Sequence, residues 1–210
     1  MSDLLPLFPL PNVVLFPNVF LPLHVFEPRY RQMVADALTN DRLIGMVLLR
    51  PGWEREYEGR PAVYAVGCSG VISHVERLND GRYNIVLRGL DRFRIVEEDH
   101  SRDYRRAIVE PLPETPLADG DRAALRQQRA RLEAMLAPGE GREGGDQRMP
   151  AAMSDEDLVN ALAQYLDLDA LEKQALLERH GLRSRAESLV ELLEMKTLMA
   201  HTPGHSNVAH

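Results

Sequence analysis

A chain of 210 residues with 44% hydrophobic content can hold one large domain or two small ones around a packed core. Its net charge of -7 gives no global pull toward nucleic acid or anionic lipid, and a single cysteine, Cys68, rules out an intramolecular disulfide and suits a reducing cytoplasm. Of the 25 basic residues only Lys173 and Lys196 are lysines, so candidates for lysine-dependent chemistry are scarce.

The first element is an apolar strap. From Leu4 to Phe26 there is no Asp, Glu, Lys or Arg, a length that suits a membrane span, but Pro6, Pro9, Pro11, Pro17 and Pro22 break any regular helix. Irregular backbone is not tolerated against lipid, and Asp3 supplies no cationic start for a signal peptide. The expectation is an extended strap on a soluble protein without a membrane partner, with strand pieces at 13–16 and 21–26. Pro28 then suits a first helical position, with Glu27 beside it favourable to the helix dipole. Tyr30, Met33, Val34, Ala37 and Leu38 form one apolar stripe, and Thr39-Asn40 ends the helix.

Residues 43–49 read as a strand covered on both faces. The polar loop 50–61 carries the only tryptophan, Trp53, expected to tuck over the sheet edge rather than anchor a ligand. Residues 63–78 read as an interrupted strand, with Gly67 and Gly70 marking a bulge or bend. Asp80-Gly81 is a hairpin signal, the return strand 83–87 meets a second turn or kink at 88–91, and strands at 92–97 and 104–110 complete the sheet. Short strands with one early helix predict a small, partly closed barrel.

Pro111, Pro113 and Pro116 mark a boundary, and the periodicity beyond them is helical. A helix over 119–137 turns Leu125, Leu132, Met135 and Leu136 to one side. Residues 139–153 are Gly-rich and polar and are expected to form a mobile linker. Ser154 with Asp157 opens a helix striped by Leu158, Ala161, Leu162, Tyr165 and Leu166. Asp169 with Glu172 opens a third, closed by Gly181, and Ser184 with Glu187 opens a fourth whose Leu189, Leu192, Leu193 and Met199 face inward. None of these stripes is buried alone, so a bundle packed on itself and on the barrel is predicted, with a frayed tail at 201–210.

Three stretches, LPLFPLPNVVLFP, LPLHVFEPRYRQMV and GRYNIVLRGLDRFRI, closely resemble the substrate-recognition N-terminal domain of the Lon protease family. The resemblance is detailed over 3–114 and continues as a helical pattern over 119–200. It implies an α+β fold: a PUA-like mixed β-barrel lobe over 1–114 with a short early helix, then an α-helical bundle lobe over 117–200. It further implies a non-catalytic, cytoplasmic protein that binds unfolded or damaged polypeptide, an adaptor or holdase in protein quality control working beside protease machinery. Complete family members carry an ATPase module and a Ser-Lys peptidase domain beyond the matched region, and this chain is expected to stop where the recognition domain stops.

The residues agree with that expectation. No G-x-x-x-x-G-K-[ST] occurs, and GEGREGG lacks the lysine that reaches phosphates. Lys173 and Lys196 lie in amphipathic helices rather than in a desolvated site beside a serine. His24, His74 and His100 lack paired ligand spacing, so neither a metal nor a cofactor is expected.

The arginines carry the main alternative. Arg82, Arg88, Arg92, Arg94, Arg102, Arg105 and Arg106 crowd the strands, and some PUA-like barrels bind RNA. Yet residues 1–114 hold 14 arginines against 16 acids, with Glu97, Glu98, Asp99 and Asp103 interleaved, where a groove that tracks a nucleic-acid backbone shows a positive surplus. Salt-bridged strand faces are favoured; an RNA-binding module is one alternative and a small-molecule-sensing pocket, by analogy with the cereblon barrel, another. The candidate binding residues are His24, Glu27, Arg29, Tyr30, Arg88 and Arg92, with Phe16 and Phe20 of the strap, expected to line a groove for an extended peptide. Glu27 is expected to pair with Arg29, Arg88 or Arg92 and so fix the strap to the barrel.

Overall fold

A computed structural model describes residues 4–56, 59–136 and 153–201; the expected linker up to residue 152 and the tail after His201 lie outside the described residues. The elements are β1 (Leu5–Leu10), β2 (Phe20–Val25), α1 (Pro28–Leu38), β3 (Leu43–Leu48), β4 (Val66–Arg77), β5 (Tyr83–Asp99), β6 (Arg105–Pro111), α2 (Asp119–Leu136), α3 (Asp155–Tyr165), α4 (Ala170–Leu177) and α5 (Gly181–His201). The strands run in the order β2-β5-β4-β3-β1-β6, and β6 also pairs with β5. That last pairing closes β1, β3, β4, β5 and β6 into a barrel and leaves β2 attached along β5 on its outside. The fold class is α+β, as expected.

The strap departs from its predicted pattern. β1 was not anticipated, because Pro6 and Pro9 argue against a strand with neighbours on both sides. The register resolves the conflict: β1 pairs with β6 only through Leu5–Leu7 and with β3 only through Leu7–Leu10. Each proline therefore sits where one side of the strand has no partner. Residues 13–16, predicted as strand, are irregular. Val14, Leu15 and Phe16 are buried there, and the Phe16 N–H donates to Gln164 Oε1 at 3.2 Å. A side chain supplies the bond that a strand partner would have made.

β5 is the spine of the barrel. Its 17 residues pair with β4 along most of their length, with β2 at the start and with β6 at the end. The turn or kink expected at 88–91 is a bulge in a continuous strand: Cys68 and Gly70 oppose Arg92 and Gly89, so Leu90 and Asp91 bow out between them. A second register shift lies between Ile95 and Glu97 against β6. Bulges bend and twist a strand, and here they let one strand serve three partners. The predicted hairpin is present, with Gly81 at φ +83 and its N–H donating to Leu78 O at 2.9 Å.

Ion pairs seal the β5–β6 seam. Arg105 meets Glu98 at 3.2 Å and Arg106 meets Asp99 at 2.7 Å. Hydrogen bonds from Ser101 and then Arg106 hold the Asp99 carboxyl at about 2, below its ordinary 3.8. The folded form therefore binds this proton less tightly than the unfolded polypeptide. The contribution is fully present above pH 3.8 and is lost as the pH falls toward 2. Asp99→Asn should flatten the acid limb of stability in that window, measured by urea midpoints across pH; an unchanged acid limb would assign the limb to other carboxylates.

Both lobes share one hydrophobic cluster, in which Phe8, Leu15, Phe16, Ile44 and Leu87 of the barrel and strap join Leu125, Val159, Leu176 and Val190 of the helices. Several helical expectations shift. α4 ends at Leu177, and Gly181, at φ +78, opens α5 three residues before the predicted Ser184. Met199, expected inward, is 67% exposed, as is Tyr165 at 65%. The true inward face of α3 includes Asn160 and Gln164, both buried.

Candidate functional site

The exposed surface of greatest chemical interest is the outer face of β2, β5 and β4. Strand alternation puts Leu21, Leu23 and Val25 toward the barrel and turns Phe20, Pro22 and His24 outward. Phe20 is 50% exposed and Phe26, just past the strand, 59%. The register sets Phe20 against Arg88, Pro22 against Val86 and His24 against Asn84, while Val86 and Asn84 oppose His74 and Glu76 of β4. A polar row crosses one end of this face: Arg82 Nη1 and His24 Nε2 lie 3.3 Å apart, His24 Nδ1 is 2.7 Å from Asn84 Oδ1, and Asn84 Nδ2 donates to Glu76 at 2.7 Å. The other end is apolar, with Phe20, Pro22 and the half-buried Val86 and Val71 around Arg88.

The free edge of β2 is blunted. The Tyr165 hydroxyl accepts from Phe20 N–H at 3.3 Å and donates to Phe20 O at 3.0 Å, occupying both groups that an added strand would use. Pro22, two residues on, has no N–H to offer. The backbone edge of β2 is therefore closed to an added strand at Phe20, and its side-chain face is what stays open.

The other predicted site residues lie elsewhere. Phe16 is fully buried in the core and is no surface residue. Glu27 pairs locally with Arg29 at 3.0 Å across the start of α1, and Arg29 Cζ sits 4.7 Å above the ring of the buried Tyr30. Arg29 and Tyr30 line a small cleft at the barrel mouth with Pro9, Arg60 and Arg105. The expected groove uniting all eight positions is not formed.

Arg92 belongs to a third place. It is buried beneath the helices, 3.2 Å from Glu114, and its Nη1 donates to the carbonyls of Leu177 at 3.0 Å and Arg179 at 2.7 Å. Glu114 also pairs with the fully buried Arg185, whose Nη1 donates to Asn160 Oδ1 at 2.9 Å. Burial first, then the nearby Arg185 cation, push the Arg92 guanidinium down from its ordinary range. Arg92 thus ties the barrel to the helical lobe. Glu114, Asn160, Gln164 and Arg185 were not anticipated. The available signal was Asn160 and Gln164, polar residues four apart within the apolar run that follows the acidic first turn of α3.

Cys68 is buried, and desolvation pushes its thiol up to about 12, as for a core residue. Lys173 Nζ donates to Gln164 O at 2.7 Å and Lys196 pairs with Glu172 at 2.9 Å, so these bonds go to a carbonyl and a carboxylate rather than to a serine. Among the described residues no group of three or more His, Cys, Asp or Glu is placed to hold a metal, and no helix is long and apolar enough to cross a membrane.

Fold and face together define an α+β domain in which a closed barrel, displaying an apolar strand face, is gripped by a helical lobe. The chain belongs to the family of the ATP-dependent protease La (LON) substrate-binding domain, whose model matches residues 4–195. It is 28% identical over 197 residues to Lon protease 2 of Myxococcus xanthus, covering 92% of this chain and 24% of that protein. It is 32% identical over 201 residues to Lon protease 2 of Herpetosiphon aurantiacus, covering 91% and 24%. The chain thus spans about a quarter of the length of these relatives. Among solved structures, the N-terminal domain of Mycobacterium avium complex Lon protease matches with a TM-score of 0.66 at 19% identity, covering 91% of this chain and 98% of that one. A Lon N-terminal domain protein from Xanthomonas campestris matches with 0.57 at 24% identity, covering 96% and 99%. These likenesses show the fold.

Proposed function

We propose that this region recognises unfolded polypeptide without chemically altering it, and that Phe20, Pro22 and Phe26 on the outer face of β2 receive apolar segments. The carrying observation is the pair of half-exposed phenylalanines on one open strand face, Phe20 at 50% and Phe26 at 59%. Rings of this kind lose unfavourable hydration when a partner covers them. Membership in a substrate-binding family supports the same reading, as does the naming of its relatives as Lon proteases. In the cell the region serves as an adaptor or holdase in cytoplasmic protein quality control, presenting damaged proteins to protease machinery. An RNA-binding role is disfavoured because Arg82, Arg92, Arg105 and Arg106 are already engaged with carboxylates.

The test is fluorescence anisotropy of a labelled unfolded protein and a labelled single-stranded RNA across a salt series. Polypeptide binding should persist in salt, and the double variant Phe20→Ser, Phe26→Ser should weaken it about tenfold to thirtyfold, from about 1 kcal/mol of lost burial per ring. RNA binding with a slope near -0.7 per phosphate contact, and no polypeptide binding, would overturn the reading.

A further inference from the structure

The proposed polypeptide face carries a cation that the fold itself leaves unused. Arg88 lies on the outer side of β5, exposed, and among the described residues its guanidinium makes no hydrogen bond or ion pair. Its cross-strand partner is Phe20. Because Tyr165 takes the Phe20 N–H and C=O from the far side, those groups point away from β5. Phe20 and Arg88 therefore form a non-hydrogen-bonded pair, the arrangement that brings opposing side chains closest. On the other flank Arg88 faces Val71 of β4.

Among the described residues no acid is paired with it. Glu76 shares the face but sits in the row of Asn84, four residues along β5 from Arg88, or about 13 Å at the rise of a strand. That exceeds the roughly 8 Å over which exposed charges act at physiological ionic strength. Glu76 is also bound to Asn84 at 2.7 Å, and Asp80 to Arg82 at 2.6 Å. The two histidines of the face, His24 and His74, bring no negative charge to it.

Resting on the polypeptide-binding reading, we infer that this face selects apolar segments that carry a carboxylate, from an aspartate, a glutamate or the C-terminus of the bound polypeptide, beside the residue seated on Phe20. Arg88 is the specificity-determining residue: its planar guanidinium receives the carboxylate in a bidentate fork while its alkyl stem lies along the apolar floor. Segments of equal hydropathy that lack the carboxylate bind the same floor less tightly.

The experiment uses the whole protein and labelled apolar peptides identical except at one position, which holds Asp, Asn or Lys, with amidated C-termini; a fourth Asn peptide keeps its free C-terminal carboxylate. The Asp peptide should bind about twofold to fivefold more tightly than the Asn peptide, the range of an exposed ion pair, and the difference should shrink in high salt. Arg88→Gln should remove the difference between the Asp and Asn peptides, and Arg88→Glu should reverse the preference toward the Lys peptide. The free C-terminus distinguishes the two carboxylate sources. Equal binding of Asp and Asn peptides, or a preference that survives Arg88→Gln, overturns the role of Arg88 and leaves the face standing. Absence of binding by every peptide overturns the polypeptide-binding reading beneath it.

Discussion

Glu114→Ala should lower folding stability by about 3–5 kcal/mol, the range for breaking a buried ion pair from one side. Glu114 is the carboxylate shared by Arg92 and Arg185, whose side chains are 5% and 0% exposed. Without it two guanidiniums remain in the same dry seam, and Arg92 is already disfavoured there by desolvation and by Arg185. Urea midpoints and melting temperatures read the effect; for a protein this long the loss corresponds to a fall of roughly 6–20 °C. Asp80→Ala, which removes an exposed partner of Arg82, is the appropriate comparison. Glu98 is not, although its acidic surroundings suggest an open surface, because it pairs with the buried Arg105. A Glu114 variant that melts with the Asp80 variant would show the seam to be wet and weak.

Gly89→Ala should destabilise by about 1–3 kcal/mol, as overpacking does. A Cβ at this position would collide with the Phe16 carbonyl oxygen and lie 2.9 Å from its carbon and 3.3 Å from Pro17 Cα. These are backbone atoms, so no side-chain rotation relieves the contact. The strap is also bonded here: Asn18 N–H donates to Gly89 O at 3.0 Å and Gly89 N–H to Val19 O at 2.9 Å. Hydrogen exchange should quicken first at Asn18 and Gly89, with Phe16 becoming accessible at the same site. A variant with wild-type stability and protection would mean the strap yields without loss.

Local patterns were legible in the sequence where the cause is local. The start of α1 at Pro28, the Asp80-Gly81 hairpin, the Ser154 cap accepting from Asp157 N–H at 3.0 Å and the Asp169–Glu172 capping box all follow from residues within four positions of one another. Features that depend on distant partners were not. Arg92 reads as one tooth of an alternating basic strand, and only carbonyls from Leu177 and Arg179 turn it into a buried tie. Phe16 reads as a candidate contact until Gln164 covers its backbone. Gly89 reads only as part of a turn or kink because the strap pressing on it is invisible to local spacing. Of the eight residues expected to line one groove, Phe20, His24 and Arg88 share the β2–β5 face, a grouping set by strand register and not by motif position, and the exposure of Phe26 depends on the whole fold.

The closure of the barrel sets a timetable for the newborn protein. Leu5 finds its partner only at Ala107, so β1 emerges long before the strand that completes its pairing. At ordinary synthesis rates that interval is about 5–20 s, far longer than hydrophobic collapse takes. Throughout it a charge-free strap rich in leucine and phenylalanine has no finished groove to enter, and Gln164 and Tyr165, which later grip it, are made later still. The segment that ends with Leu5, Leu7, Phe8, Val14, Leu15 and Phe16 in the core thus begins as the most adhesive part of the molecule, and a nascent polypeptide stalled before residue 107 presents the kind of apolar surface that chaperones exist to hold.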